Sequence, residues 1–177
     1  DVDQSEIALK IIGLGNVTPF TGNQLEKFNG LNADVAQKLS EFGKRSLVVD
    51  NLKSFRGLNS ELALQIMTTA DGRDPGRRSV VSNLESFEKL NIEVAERLIG
   101  SGRGFKDVVE HIKVFDVDHN DVAIAFLNGT SRPFEYVDLF GKLTGLSTEV
   151  ALKCIAKADK RAVSRNLQSF EGLDREI

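Results

Sequence analysis

One pattern, repeated along the chain, constrains the fold more than any other feature. Asn51-Leu-Lys-Ser-Phe-Arg-Gly-Leu-Asn-Ser-Glu-Leu-Ala63 and Asn83-Leu-Glu-Ser-Phe-Glu-Lys-Leu-Asn-Ile-Glu-Val-Ala95 are two copies of it. Worn copies run from Gln24-Leu-Glu-Lys-Phe28 into Asp34-Val-Ala36, and from His111-Ile-Lys-Val-Phe115 into Asp121-Val-Ala123. Another runs from Asn166-Leu-Gln-Ser-Phe170 into Glu176-Ile177. The alanines Ala8, Ala36, Ala63, Ala95, Ala123 and Ala151 recur at intervals of 28, 27, 32, 28 and 28 residues. Phe28, Phe55, Phe87 and Phe115 each stand eight residues before an alanine, and Leu143 takes that place in the fifth case. A fixed period of this length is the signature of a repeat architecture.

Within each repeat the spacing predicts two short helices. Val48, Leu52 and Phe55, like Val80, Leu84 and Phe87, are spaced four then three, as on one face of a helix. Gly57 then offers the left-handed geometry that ends a helix, and Asn59 offers a side chain that caps the next one. The second helix carries an acid in its first turn in all seven copies: Glu6, Asp34, Glu61, Glu93, Asp121, Glu149 and Glu176. A carboxylate there favours the helix N-terminus by roughly 0.3–1 kcal/mol. A compact apolar face follows, as in Val94, Ala95, Leu98 and Ile99.

Such short helices are marginal alone, so neighbouring repeats must stack to bury a continuous core. The expectation is all-α: a right-handed α-solenoid, or superhelix, of two-helix repeats of about 28 residues. Residues 1–177 read as one such solenoid of roughly six repeats. The opening Asp1-Val-Asp-Gln-Ser-Glu-Ile-Ala8 matches Asp116-Val-Asp-His-Asn-Asp-Val-Ala123 position for position, and Ile177 falls one residue short of the next alanine. No polar capping repeat is visible, so a fragment of a longer array is expected.

Composition narrows the class. Hydrophobic residues at 41%, charged residues at 28% and a net charge of −3 describe an ordinary globular chain, not a disordered, collagenous or disulfide-rich one. No apolar run approaches the roughly 18 residues a membrane helix needs. The lone Cys154 forms no internal bridge, and a cytoplasmic location fits it best.

The consensus Asn-Leu-x-Ser-Phe-x-Gly-Leu-Asn-x-Glu-Val-Ala resembles an uncharacterised bacterial family of α-helical repeats. In layout it is similar to variant leucine-rich repeats and, more loosely, to TAL-effector-like and mitochondrial-termination-factor-like arrays. The resemblance assigns no functional residue; the long surface of a repeat array and the overall acidity lead to the expectation of a non-enzymatic binding scaffold.

The most suggestive functional signal is charge segregation. The loops 43–46, 70–79, 100–105, 128–134 and 156–161 hold Lys44, Arg45, Arg73, Arg77, Arg78, Arg103, Arg132, Lys157, Lys160 and Arg161. Those are ten of the 23 basic residues, where even spreading would place about four. Arg45, Arg73, Arg77, Arg78, Arg103, Arg132, Lys160 and Arg161 are therefore candidate ligand-binding residues, able to receive phosphates. The competing reading is that cations after a helix complement its dipole. The loop Ala70-Asp-Gly-Arg-Asp-Pro-Gly-Arg-Arg-Ser79 accounts for the interval of 32 and is the richest in arginine.

A second signal is the row Gln24, Asn51, Asn83, His111 and Asn166, one turn before the anchor residue. It reads either as amides presented to bases or peptides, or as amides satisfying nearby backbone groups.

Catalytic signals are weak. His111 and His119 do not share a metal-ligand spacing. The Asp116–Asp121 stretch lacks the turn glycine and closing glutamate of a calcium loop. Cys154 sits at the core position of Leu39 and Leu98. No catalytic, cofactor or metal residue is assigned. The expected partner is a protein or peptide, with nucleic acid on the basic loops as the alternative. Net acidity and the scarcity of stacking aromatics weigh against that alternative.

Overall fold

The computed structural model describes residues 4–15, 17, 20, 22–28, 30–68, 75–100, 104–129, 133–157 and 160–173. The described chain is all-helical, with isolated β-bridges in place of any sheet, and it divides into two compact units, Asp1–Leu90 and Asn91–Ile177. The first unit holds α1 (Gln4–Gly13), α2 (Gly22–Leu25), α3 (Ala33–Glu41), α4 (Arg45–Asp50), α5 (Ser60–Met67) and α6 (Pro75–Val81). The second holds α7 (Ile92–Ile99), α8 (Gly104–Glu110), α9 (His119–Gly129), α10 (Thr148–Lys157) and α11 (Lys160–Arg165).

The second helices of the repeats are α1, α3, α5, α7, α9 and α10. Their starts follow from capping chemistry. Asn32, Asn59 and Asn91 are extended residues whose side-chain oxygens accept from the backbone N–H of Val35, Leu62 and Val94 at 3.2, 3.0 and 3.2 Å. Each satisfies a donor that a helix start otherwise leaves orphaned. The anchor alanines Ala8, Ala36, Ala63, Ala95, Ala123 and Ala151 are all at 0% exposure. A methyl group at this position lets packed helices approach closely: α3 lies on α1, α9 on α7, and α10 on α9.

The first helices depart from the sequence expectation. Val48, Leu52 and Phe55 do not lie on one continuous α-helix. The helix α4 ends at Asp50, Leu52–Ser54 form a 3₁₀ turn, and Phe55 is extended at φ −109° and ψ 157°. The same break recurs at Leu84–Ser86 with Phe87, Ile112–Val114 with Phe115, and Leu167–Ser169 with Phe170. The spacing is compatible with both outcomes: three residues from Leu52 to Phe55 is the 3₁₀ period as well as an α-helical face spacing.

The extended phenylalanine links consecutive repeats. In the first unit Leu31 N–H donates to Ser54 O at 2.9 Å, and Arg56 N–H donates to Leu31 O at 2.8 Å. Leu58 repeats this with Ser86 O and Glu88 N–H, both at 3.0 Å. In the second unit Leu146 does the same with Ser169 O and Glu171 N–H, both at 2.8 Å. These parallel bridges satisfy backbone groups beside the buried rings of Phe55, Phe87 and Phe170. The glycine before each leucine makes the turn possible: Gly30, Gly57 and Gly145 have φ of 83°, 66° and 68°. Lys89 occupies the same place at φ 51°, where a side chain is strained.

Two further features anchor the repeats. Gly76, near the start of α6, comes so close to α5 that an added Cβ would overlap the Ile66 carbonyl oxygen. In the second unit the fifth first-helix is a 3₁₀ segment, Pro133–Lys142, packed beside an aromatic cluster. Phe105 and Phe126 stack with centroids 3.9 Å apart, Phe140 lies 5.6 Å from Phe105, and Tyr136 meets Phe126 edge-on at 5.8 Å.

Candidate binding interface

The basic loop residues fall into distinct environments. Arg45, the first residue of α4, donates to Thr68 O at 3.4 Å, where Thr68 caps the C-terminus of α5. Lys157 donates to Leu127 O at 2.7 Å, near the C-terminus of α9. Both cations therefore complement helix ends, through the dipole and an orphaned carbonyl together. Arg77 is half-buried on α6 with its Nε shielded from solvent. Arg78, Lys160 and Arg161 are exposed. Arg73, Arg103 and Arg132 lie outside the described residues.

Lys160 and Arg161 are brought together at a groove of about 370 Å³ in the second unit, which Ile155, Val163, Ser164, Leu167 and Leu173 also line. Its wall is more apolar than charged. The first-turn acids Glu6, Asp34, Glu61, Glu93, Asp121 and Glu149 are all exposed. Glu6 pairs with Lys10 at 2.6 Å and Glu149 with Lys153 at 3.0 Å, each within its own helix.

The polar row before the anchor residues is absorbed by the backbone. The Asn51 amide donates to Leu47 O at 2.9 Å, and the Asn83 amide to Ser79 O at 2.8 Å. His111 Nδ1 lies 3.0 Å from Asp107 O in the same geometry. Asn166 reaches further, donating to Val137 O at 3.1 Å. Asn51 and Asn83 thus satisfy a helix-end carbonyl where α gives way to 3₁₀, whereas Asn166 satisfies a carbonyl within the Pro133–Lys142 segment.

A different polar row links repeats, and sequence reasoning did not single it out. It sits three residues before the anchor alanine. Ser5 Oγ accepts from Asn32 N–H at 3.0 Å, and Thr148 Oγ1 donates to Gly172 O at 3.3 Å. Asn120 does both jobs: Oδ1 accepts from Ser147 N–H at 2.7 Å, and Nδ2 donates to Gly145 O at 3.0 Å. The signal was partial, since Ser5, Ser60, Asn120 and Thr148 are polar at a register position that Ala33 and Ile92 also occupy.

Two titratable groups bear on the chemistry of the described residues. Burial pushes the Cys154 thiol up to about 12, so it stays protonated and unreactive at neutral pH. The Asp118 carboxyl is held below the usual range by the Asn120 backbone N–H, then by its side-chain amide. His119 Nδ1 lies 3.0 Å from the Thr144 backbone nitrogen and 3.2 Å from its carbonyl oxygen. Among the described residues, no three His, Cys, Asp or Glu side chains converge as metal ligands would. No helix among them is long and apolar enough to cross a membrane.

Comparison with protein-family models, curated proteins and solved structures gives no match to this chain.

Proposed function

We propose that the chain is a right-handed α-solenoid of two-helix repeats that works as a non-enzymatic scaffold for a protein or peptide partner in a reducing compartment such as the cytoplasm. The same backbone junction, found twice in the first unit and once in the second, supports the solenoid, because those repeats present one edge to their successors. The observation that carries the partner class is the unequal fate of the two charge rows. Of the described loop cations Arg45 and Lys157 donate to helix-end carbonyls and Arg78, Lys160 and Arg161 are exposed, whereas all six described first-turn carboxylates are exposed, two of them paired with a lysine of their own helix. A surface of that sign repels a phosphate backbone and suits a protein partner.

The alternative is nucleic-acid binding through the inter-repeat loops. The exposure of Arg78, Lys160 and Arg161 favours it. Fluorescence anisotropy with random single-stranded RNA, single-stranded DNA and duplex DNA separates the readings. The scaffold reading expects no salt-sensitive binding at low ionic strength. Binding that weakens with salt, and that charge reversal of Arg73, Arg77 and Arg78 abolishes, would replace it with the alternative. Selection from a displayed peptide library then tests the scaffold directly; enrichment of one peptide pattern is expected, and its absence counts against a peptide-binding surface.

A further inference from the structure

Two turns of the first unit carry an apolar side chain where the chain leaves a second helix. Phe42 ends α3 at 46% exposure, and Leu14 follows α1 at 85%. Both stand six residues after their anchor alanines, and both precede a glycine of positive φ, Gly43 at 72° and Gly15 at 74°. The other glycines of that kind, Gly30, Gly57, Gly145 and Gly172, follow Asn29, Arg56, Thr144 and Glu171, all polar. Phe42 decides what the exposure means. Its repeat packs on α1 before it and is bridged through Leu31 to the turn after it, and the ring is still half-open. The opening therefore belongs to the register and not to an absent neighbour. The turns also stand clear of the rest of the unit, since a Cβ added at Gly13, Gly15 or Gly43 would meet nothing within 4 Å. A projecting turn enters a partner instead of enclosing one.

The charges beside Phe42 select the sign of that partner. Lys44 is exposed two residues on, Arg45 follows it, and Arg78 is exposed on α6, which packs against α4. None of these three cations makes an ion pair among the described residues, and Arg45 meets only the neutral Thr68 carbonyl. The acid at this edge, Glu41, is matched by Lys38 at 2.8 Å. The exposed first-turn acids lie at the other end of the second helices. Asp34 is eight residues before Phe42, about 12 Å along the helix, which exceeds the roughly 8 Å screening length at physiological ionic strength.

We propose that this edge of the first unit docks on an anionic lipid bilayer. Phe42 and Leu14 enter the boundary between headgroups and acyl chains, and Lys44, Arg45 and Arg78 meet the headgroup phosphates. A nucleic acid would answer the cations and leave both apolar tips in water; a neutral protein face would do the reverse. The cytoplasmic leaflet of a membrane carries the required charge. This contact goes beyond the scaffold reading, since it concerns where the array sits and leaves the remaining surface free for a partner.

Co-sedimentation of the 177-residue chain with vesicles tests this, using phosphatidylcholine and phosphatidylserine at roughly 70:30 beside phosphatidylcholine alone. Binding to the mixed vesicles that weakens as salt rises, with little to the neutral ones, is expected. Lys44→Glu should weaken it about fivefold and Phe42→Ser about tenfold, with Leu14→Ser adding to the second loss. Phe42→Leu keeps an apolar tip and should retain most of the binding. All three side chains are exposed, so helical dichroism should not move. No binding to the mixed vesicles overturns the proposal. So does equal binding to neutral vesicles, or a Phe42→Ser variant that binds like the parent. Binding to random single-stranded RNA in place of vesicles, lost in Lys44→Glu and kept in Phe42→Ser, would overturn it in favour of nucleic acid.

Discussion

The junction that follows α9 in the second unit is fastened by different chemistry from the junctions of the first unit. In Asp1–Leu90, Leu31 and Leu58 each exchange two backbone hydrogen bonds with the repeat that follows. In Asn91–Ile177, the passage from α9 to the next repeat has no such bridge among the described residues. Asn120 and His119 reach across instead, to Ser147 and Gly145 and to Thr144. The turn before α9 also differs at one residue. Val117 stands where Gly30, Gly57 and Gly145 take positive φ, and a β-branched side chain is excluded from that region. The chain therefore enters α9 one residue early, from Asp118 instead of a following asparagine. A backbone junction tolerates many side chains; a side-chain junction depends on the identity of two. The lesson is that a repeat can change how it is fastened without changing its period.

The largest expected effect tests whether the backbone junction stands on its packing. Phe87→Ala, beneath the Leu58 bridge, should cost about 3–5 kcal/mol in a denaturant melt through the cavity it leaves. A loss under about 1 kcal/mol would mean that the hydrogen bonds alone hold the repeats. Next comes Asn120→Ala, which strands part-buried groups on Ser147 and Gly145 and should cost about 1–3 kcal/mol. The equivalent Thr148→Ala, with its single 3.3 Å bond and a Leu146 bridge alongside, should cost less than about 1 kcal/mol. Equal losses would erase the distinction between the junctions.

A smaller pair addresses the turn. Gly57→Ala should cost about 1–2 kcal/mol, since φ 66° and not crowding is the obstacle, whereas Lys89→Gly should gain up to about 1 kcal/mol. Denaturation midpoints moving in the same direction would refute the shared geometry. The smallest effect concerns Asp118. Its folded carboxyl titrates below the ordinary value, so its contribution is present above the carboxylate range and fades as pH falls through the folded value. Stability of the parent relative to Asp118→Asn, followed from neutral to acid pH, should therefore converge; a constant difference would show that the Asx turn contributes nothing through its charge.

Much of this was legible beforehand, for physical reasons. The alanines and phenylalanines were found because close packing tolerates few alternatives at Ala63 or Phe55, and those positions are indeed at 0% exposure. The cap Asn59 was visible because few side chains reach a helix-start donor. The break between Asp50 and Leu52 was hidden because α and 3₁₀ turns share apolar spacings over so short a span. At the candidate interface, sequence showed that cations cluster after helices. It did not show that Arg45 turns to Thr68 and Lys157 to Leu127, since those carbonyls become neighbours only through tertiary packing.

The aromatic cluster also makes the molecule optically lopsided. The chain has one tyrosine and no tryptophan, and Tyr136 lies in the second unit, edge-on to Phe126. Ultraviolet emission therefore reports on Asn91–Ile177, while far-ultraviolet dichroism reports on helices of both units. Coincident melting by the two probes would mark a single cooperative transition. A gap between the curves would be a direct, label-free reading of how independently Asp1–Leu90 comes apart.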